Sequence, residues 1–142
     1  MKVISKNISS IMSKDVISLD IDSNLIQAEK LFKKYGIRHL PITDKGQIVG
    51  ILSENDLLRI SYVDAYIDCE LEADRSVYNL LSLDQIMVKN PVCIQETSSI
   101  YDVTRILLNK DFHALPVLAG SNLVGMLTTT DLLKFFITEQ DV

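Results

Sequence analysis

Tryptophan is absent from this 142-residue chain, and Phe and Tyr together make up only 6% of it. Its core must therefore be built from Ile, Leu and Val. Cysteine is scarce: Cys69 and Cys93 have neither CxxC spacing nor the density of a secreted disulfide framework. Both are expected to be reduced. Histidine is equally thin, with only His39 and His113, and no acid lies at ligand spacing beside either, so no metal site is expected. No run approaches the roughly 18 apolar residues of a membrane span. Met1, Lys2, Val3 and Ile4 lead into Ser5, Lys6 and Asn7 without the apolar core of a signal peptide. A cytoplasmic protein with no membrane partner is expected. Basic residues are outnumbered, 14 against 19 acids for a net charge of −5, which argues against nucleic acid as the main partner. A Gly-rich phosphate loop, a nucleophile elbow and a recognisable Cys–His pair are all missing, so no enzyme is predicted.

What is present is aliphatic surface and repetition. Hydrophobic residues make up 47% of the chain, a surplus that predicts a partner face and hence a homodimer. Acidic residues concentrate mid-chain, at Asp64, Asp68, Glu70, Glu72 and Asp74. Shifting the sequence by 75 positions places Ile11-Met12 on Ile86-Met87, Leu40-Pro41 on Leu115-Pro116 and Val49-Gly50 on Val124-Gly125 without a gap. Asp56-Leu57-Leu58 falls on Asp131-Leu132-Leu133 in the same frame. The period exceeds the solenoid range of about 20–50 residues, so it marks one small unit duplicated. Two such units are expected to pack about a pseudo-twofold axis, with a ligand cleft between them.

Local signals order each copy as β-α-β-β-α. In the first, residues 16–19 read as a strand, and Ser23 as the cap of a helix with Leu25, Ala28, Leu31 and Phe32 on one stripe and Gly36 as its stop. Residues 40–43 and 48–52 read as strands around a turn at Asp44, Lys45 and Gly46, and Ser53 caps a second helix. In the second copy the strands are residues 92–94, 115–118 and 123–127, with Ser98 or Ser99 and then Thr128 as caps. Pro41 and Pro116 would interrupt a ladder, which favours an edge strand or a strand's first residues. The connector, from about Ser61 to Leu83, is too long for a plain loop. Tyr62, Val63, Tyr66 and Ile67 predict helical continuation there, and residues 82–85 a capped turn. The expected divisions are residues 1–10 as an N-terminal segment, 11–60 as the first unit, 61–85 as a partly helical connector, 86–137 as the second unit and 138–142 as a tail.

Both copies carry a hydroxyl residue three positions before an acid, Ser53 before Asp56 and Thr128 before Asp131. At a strand-to-helix junction this pattern is a capping box, although Glu is the commoner acid. It also suits a ribose diol, because a carboxylate only accepts and its two oxygens can take two hydroxyls. The two roles are compatible. A second cluster precedes each proline: Arg38 and His39 before Leu40-Pro41, and His113 before Ala114-Leu115-Pro116. In an acidic chain a cation beside a presumed cleft is a candidate phosphate contact, with Arg offering bidentate geometry.

A β-α-β-β-α unit with a leading Ile-Met, a middle [Arg/His]-x-Leu-Pro and a closing Val-Gly-x-Leu-[Ser/Thr]-x-x-Asp-Leu-Leu resembles a CBS domain, and two in tandem resemble a Bateman module. The resemblance covers nearly the whole chain and implies an α/β (α+β) fold. It implies a stand-alone regulatory sensor that binds AMP, ADP, ATP or S-adenosylmethionine in clefts between the two units and signals to a separate effector protein, with no required cofactor. The alternative is a dimerisation scaffold without ligand. By position, Ser53, Asp56, Thr128 and Asp131 resemble ribose contacts, with Asn55 and Thr130 adding to them. Ile51 and Met126 resemble the apolar lining, Ile17, Ser18, Val92 and Cys93 the border of the base, and Arg38, His39 and His113 the phosphate contacts. The copies differ where His39 becomes Ala114 and where Asp111 adds negative charge, which predicts two clefts of unequal phosphate affinity.

Overall fold

The computed structural model describes residues 6–67, 80–110 and 112–140. Asp111, Cys69, Asp68, Glu70, Glu72 and Asp74 lie outside the described residues. The chain divides into two compact units, Ile17–Pro91 and a discontinuous one made of Met1–Val16 with Val92–Val142.

The unit Ile17–Pro91 holds β1 (Leu19–Asp20), α1 (Leu25–Tyr35), β2 (His39–Asp44), β3 (Gln47–Ser53), α2 (Glu54–Ile67), a short α3 (Leu83–Ile86) and β4 (Val88–Lys89). Its sheet runs β1-β2-β3-β4. β1 lies parallel to β2, and the β2–β3 and β3–β4 pairs are antiparallel. β2 and β3 turn through Lys45 and Gly46, whose φ values of 51° and 80° fit the primed turns that match strand twist. α1 buries Leu25, Ala28 and Phe32 and ends at Gly36 in the left-handed region, φ 62°. Leu40, Ile42, Leu52, Leu57, Leu83 and Met87 complete this core.

The other unit repeats the order with β5 (Ile94–Gln95), α4 (Ile100–Lys110), β6 (Ala114–Ala119), β7 (Asn122–Thr128) and α5 (Thr129–Gln140) in a three-stranded sheet β5-β6-β7. Its core repeats position by position: Ile100, Val103, Leu107, Leu115, Val117, Leu127 and Leu132 stand where the first unit has Leu25, Ala28, Phe32, Leu40, Ile42, Leu52 and Leu57. Both hairpins shift register at the same place, after Ile42 and after Val117. The α+β class and the two repeated units follow the sequence reading.

Four local expectations are corrected. Asn24, not Ser23, caps α1, its side chain accepting from the Gln27 amide at 2.8 Å. The opening strands are shorter than residues 16–19 and 92–94, because the parallel partner strands meet them only at Ile42-Thr43 and Val117-Leu118. Ile17, Ser18, Val92 and Cys93 therefore precede strands rather than lie in them. The prolines sit in interior strands, not edge ones: Pro41 and Pro116 occupy the third position of β2 and β6, one residue before the two-residue opening strand begins to pair. The missing N–H thus meets no rung on that side. Lastly, Val88 and Lys89 add a fourth strand that the repeat pattern left out. Within the connector, α2 extends to Ile67, and the Ser82 capping box with Gln85 forms as expected.

One arrangement was not legible from periodicity. Each copy's lead segment packs on the sheet of the other copy. Ile8, in a 3-10 turn over Ile8–Ser10, is fully buried with the core of α4, α5, β6 and β7. Leu83, its counterpart 75 positions on, is fully buried with the core of α1, β2 and β3. Ser13 bridges Met126, as Val88 pairs with Ile51.

Candidate functional site

In each unit the sheet hairpin ends where a helix begins, and the candidate residues meet at that junction. The Ser53 hydroxyl accepts from the Asp56 amide at 3.1 Å while Asp56 Oδ2 accepts from the Ser53 amide at 3.4 Å. In the other unit Asp131 donates to Thr128 Oγ1 at 3.2 Å, and Thr128 donates to Asp131 Oδ2 at 2.9 Å. Both are complete capping boxes. Each uses one carboxylate oxygen and leaves the other outside the box, half-buried rather than sealed.

The residues before the prolines reach the same corner through the main chain. The Arg38 carbonyl accepts from the Glu54 amide at 2.8 Å, and the His113 carbonyl from the Thr129 amide at 3.0 Å. Arg38 and His113 are thereby fastened to the first turn of the second helix of their unit. Register places His39 opposite Ser53 and Ala114 opposite Thr128. Arg38 and His113 are exposed and His39 is half-buried. Asn55 and Thr130 lie exposed in the first turns of α2 and α5. Ile51 and Met126 lie half-buried on β3 and β7, two residues before the hydroxyl positions.

Ile17 packs on the core of its own unit and Ser18 is exposed, whereas Val92 is exposed and Cys93 half-buried. Burial pushes the Cys93 thiol above its ordinary pKa, and it is in no disulfide. Among the described residues, no cluster of three His, Cys, Asp or Glu can hold a metal ion, and no helix is long and apolar enough to cross a membrane.

The sequence reading missed Arg59, whose guanidinium lies 3.6 Å from Asp56 Oδ1 one turn further along α2. The i, i+3 spacing was the available signal. With Arg59 highly exposed, such a pair contributes at most about 0.5 kcal/mol. Lys134 takes this position in the other unit, and among the described residues no ion pair holds Asp131. It also missed the close approach at Gly50 and Gly125. A methyl on Gly50 would overlap Met87 Sδ and come within 2.8 Å of Met87 Cγ, and one on Gly125 would meet Met12 Sδ at 2.7 Å and the Ser13 carbonyl at 2.8 Å.

Fold and corner together define a duplicated α+β protein in which each repeat offers one hydroxyl–carboxylate pair, an Arg or His before the proline strand and an apolar strand residue. The CBS domain family model matches residues 8–62 and 83–138, and the chain belongs to that family as a tandem pair. It is 30% identical over 139 residues to a CBS domain-containing protein of Dictyostelium discoideum, covering 96% of this chain and 93% of that one. It is 25% identical over 131 residues to the uncharacterized protein MJ1225 of Methanocaldococcus jannaschii, of which it spans 46%. Among solved structures, the CBS domain pair of protein MJ0100 in complex with 5′-methylthioadenosine and S-adenosyl-L-methionine superposes with a TM-score of 0.77 at 24% identity, covering 94% of this chain and 98% of that one. CBSX2 in complex with AMP gives 0.74 at 20% identity, covering 94% and 98%. Both establish the shared fold.

Proposed function

We propose that this chain is a regulatory module that binds an adenosyl ligand (AMP, ADP, ATP or S-adenosylmethionine) and passes its occupancy to a separate effector protein. The carrying observation is the matched carboxylate: Asp56 and Asp131 each spend only Oδ2 on the cap, and the other oxygen lies outside it, facing the exposed Arg59 at 3.6 Å in Asp56 and in no ion pair among the described residues in Asp131. Ser53 and Thr128 orient these carboxylates without consuming them. Ribose, with two adjacent hydroxyls, is the chemistry that such an acceptor-only group recognises. That solved CBS pairs of this fold hold 5′-methylthioadenosine, S-adenosylmethionine and AMP supports the reading. Arg38, His39 and His113 are its phosphate-reading positions, Asn55 and Thr130 add polar contacts, and Ile51, Met126, Ile17, Ser18, Val92 and Cys93 supply the lining. Reaction chemistry is not part of the reading, which assigns recognition and regulation rather than turnover.

The same reading carries a homodimer, supported by α5, where Leu133, Phe136 and Ile137 expose an apolar stripe at i, i+3 and i+4 although Leu132 and Phe135 already face the core. A ligand at about 100 times its dissociation constant stabilises the fold by about 2.7 kcal/mol. Thermal unfolding with AMP, ATP and S-adenosylmethionine, repeated on the double variant Asp56→Asn/Asp131→Asn, tests the proposal. A shift with at least one compound that vanishes in the variant supports sensing. No shift with any of them leaves the ligand-free dimerisation scaffold as the better reading.

A further inference from the structure

Residues 6–13 form a strap across the Met1–Val16/Val92–Val142 unit. At one end the Ile8 amide donates to the Ser98 carbonyl at 2.9 Å, and the Ile100 amide to the Lys6 carbonyl at 2.9 Å. At the other end Ser13 and Met126 exchange two hydrogen bonds, Ser13 N to Met126 O at 2.9 Å and Met126 N to Ser13 O at 3.0 Å. Between them Ile8 is fully buried, and Ile11 and Met12 pack on the same core. The strap thus fixes the main chain of β7 two residues before Thr128, the start of the capping box.

Its counterpart in the other unit is held differently. There β4 pairs with β3 at two positions, Val88 with Ile51 and Lys89 with Gly50, and α3 is closed by a full capping box. In the strap, Ser13 is the only residue that bridges β7 among the described residues. The glycines beneath the two segments differ as well. The nearest atoms to a Cβ on Gly50 are those of the Met87 side chain, whereas a Cβ on Gly125 meets Met12 Sδ and the backbone oxygen of Ser13. The strap has less pairing.

We propose that this strap is a positioning element for the ligand corner of its unit: Ser13 and Gly125 act through Met126 to set how well the Thr128–Asp131 corner holds an adenosyl ligand. The proposal rests on the adenosyl reading above and concerns the corner held through a single bridged residue, the other being held at the equivalent place by two paired residues of β4. Small displacements of a lining strand alter recognition because packed elements do not deform continuously.

The test uses the full chain, AMP and S-adenosylmethionine as probes, and calorimetric titration well below the unfolding temperature. Asp56→Asn leaves the Asp131 corner intact, and Asp131→Asn leaves the Asp56 corner. Ser13→Pro, which removes the donor to the Met126 carbonyl, is introduced into each background. The expected result is an affinity loss of about tenfold in the Asp56→Asn background and less than about twofold in the Asp131→Asn background. Gly125→Ala, which displaces the strap from the other side, is expected to reproduce the split if Ser13→Pro folds poorly. Hydrogen exchange at the Ser13 and Met126 amides reports whether the strap has loosened. Loosened amides with equal effects in both backgrounds, or with no change in affinity, overturn the positioning role. So does failure of the Asp56→Asn chain to bind either probe while the Asp131→Asn chain binds. If the wild-type chain binds neither probe, the adenosyl reading itself falls.

Discussion

Thr128 and Asp131 hold each other in place: the amide of each donates to the side chain of the other, at 2.9 and 3.2 Å. Ser53 and Asp56 do the same at the matching position in the other repeat. In the adenosyl reading proposed above, capping and recognition would share these residues but use different atoms. The cap uses one acceptor at Oδ2, and ligand capture would use the second oxygen and the negative charge.

The two roles can therefore be separated by substitution. Asp131→Asn, with its amide oxygen turned to Thr128, is expected to change stability by less than about 0.5 kcal/mol while abolishing adenosyl binding at that corner. Asp131→Ala is expected to cost about 0.5–2 kcal/mol in addition, as losing a helix cap does. Urea unfolding of both variants without ligand, beside titration with AMP, distinguishes them. Equal stability losses would show that an uncharged acceptor oxygen at this position contributes nothing to the cap.

Ile8 is completely buried in the unit it shares with Val92–Val142, although it precedes Val92 by more than 80 positions. Ile8→Ala is expected to cost about 2–5 kcal/mol, the usual range for truncating a fully buried aliphatic side chain. Leu83→Ala should cost a similar amount by emptying the equivalent socket in the Ile17–Pro91 unit. In native-state hydrogen exchange, Ile8→Ala should raise exchange first in residues 100–132 and Leu83→Ala first in residues 25–57. A reversed or uniform pattern would contradict the assignment of each lead segment to its core.

At the start of α1, adjacent residues compete for the cap, and the structure gives it to Asn24. Asn24→Ala is expected to lower stability by about 1 kcal/mol, and Ser23→Ala by only a few tenths. Chemical denaturation of the two single variants is sufficient, and a larger loss for Ser23→Ala would return the cap to Ser23.

The Cys93 thiol has its pKa raised by burial, so its reactive thiolate forms only at a higher pH than in an unfolded chain. Alkylation of Cys93 by iodoacetamide should be slower in the folded protein than in urea at pH 8, and the deficit should narrow as pH rises. Peptide mass spectrometry after timed quenching follows Cys93 by itself. Equal rates at pH 8 would show that burial does not hold the proton. The same sign makes stability fall as pH climbs past the ordinary thiol range, because the unfolded chain ionises first.

Much of the site was legible because its chemistry is local. A hydroxyl three residues before an acid at a strand-to-helix boundary can hardly form anything but a reciprocal cap, and both copies form it. Leu25, Ala28 and Phe32 recur at helical spacing and are buried together for the same reason. Ser23 misled because two cap-competent residues stand side by side, and the backbone entry angle decides between them. The prolines misled because a two-residue parallel partner leaves the preceding position of an interior strand unladdered, and strand length of that kind is set by the neighbouring strand.

The sequence by itself determined that the chain is a duplication, the order of elements within each copy, the aliphatic positions of both cores and the paired hydroxyl–carboxylate corners. All of these arise from contacts between residues close in the chain or from exact recurrence at one offset. Tertiary structure alone decided which sheet each lead segment completes. Met12 is followed 38 positions later by Gly50 and much later by Gly125, two glycines in the same local setting, and it lies against Gly125. Because the repeats carry equivalent sockets, local preference is the same for both. Pairing at the edge of β7 and the burial of Ile8 beside it make the choice.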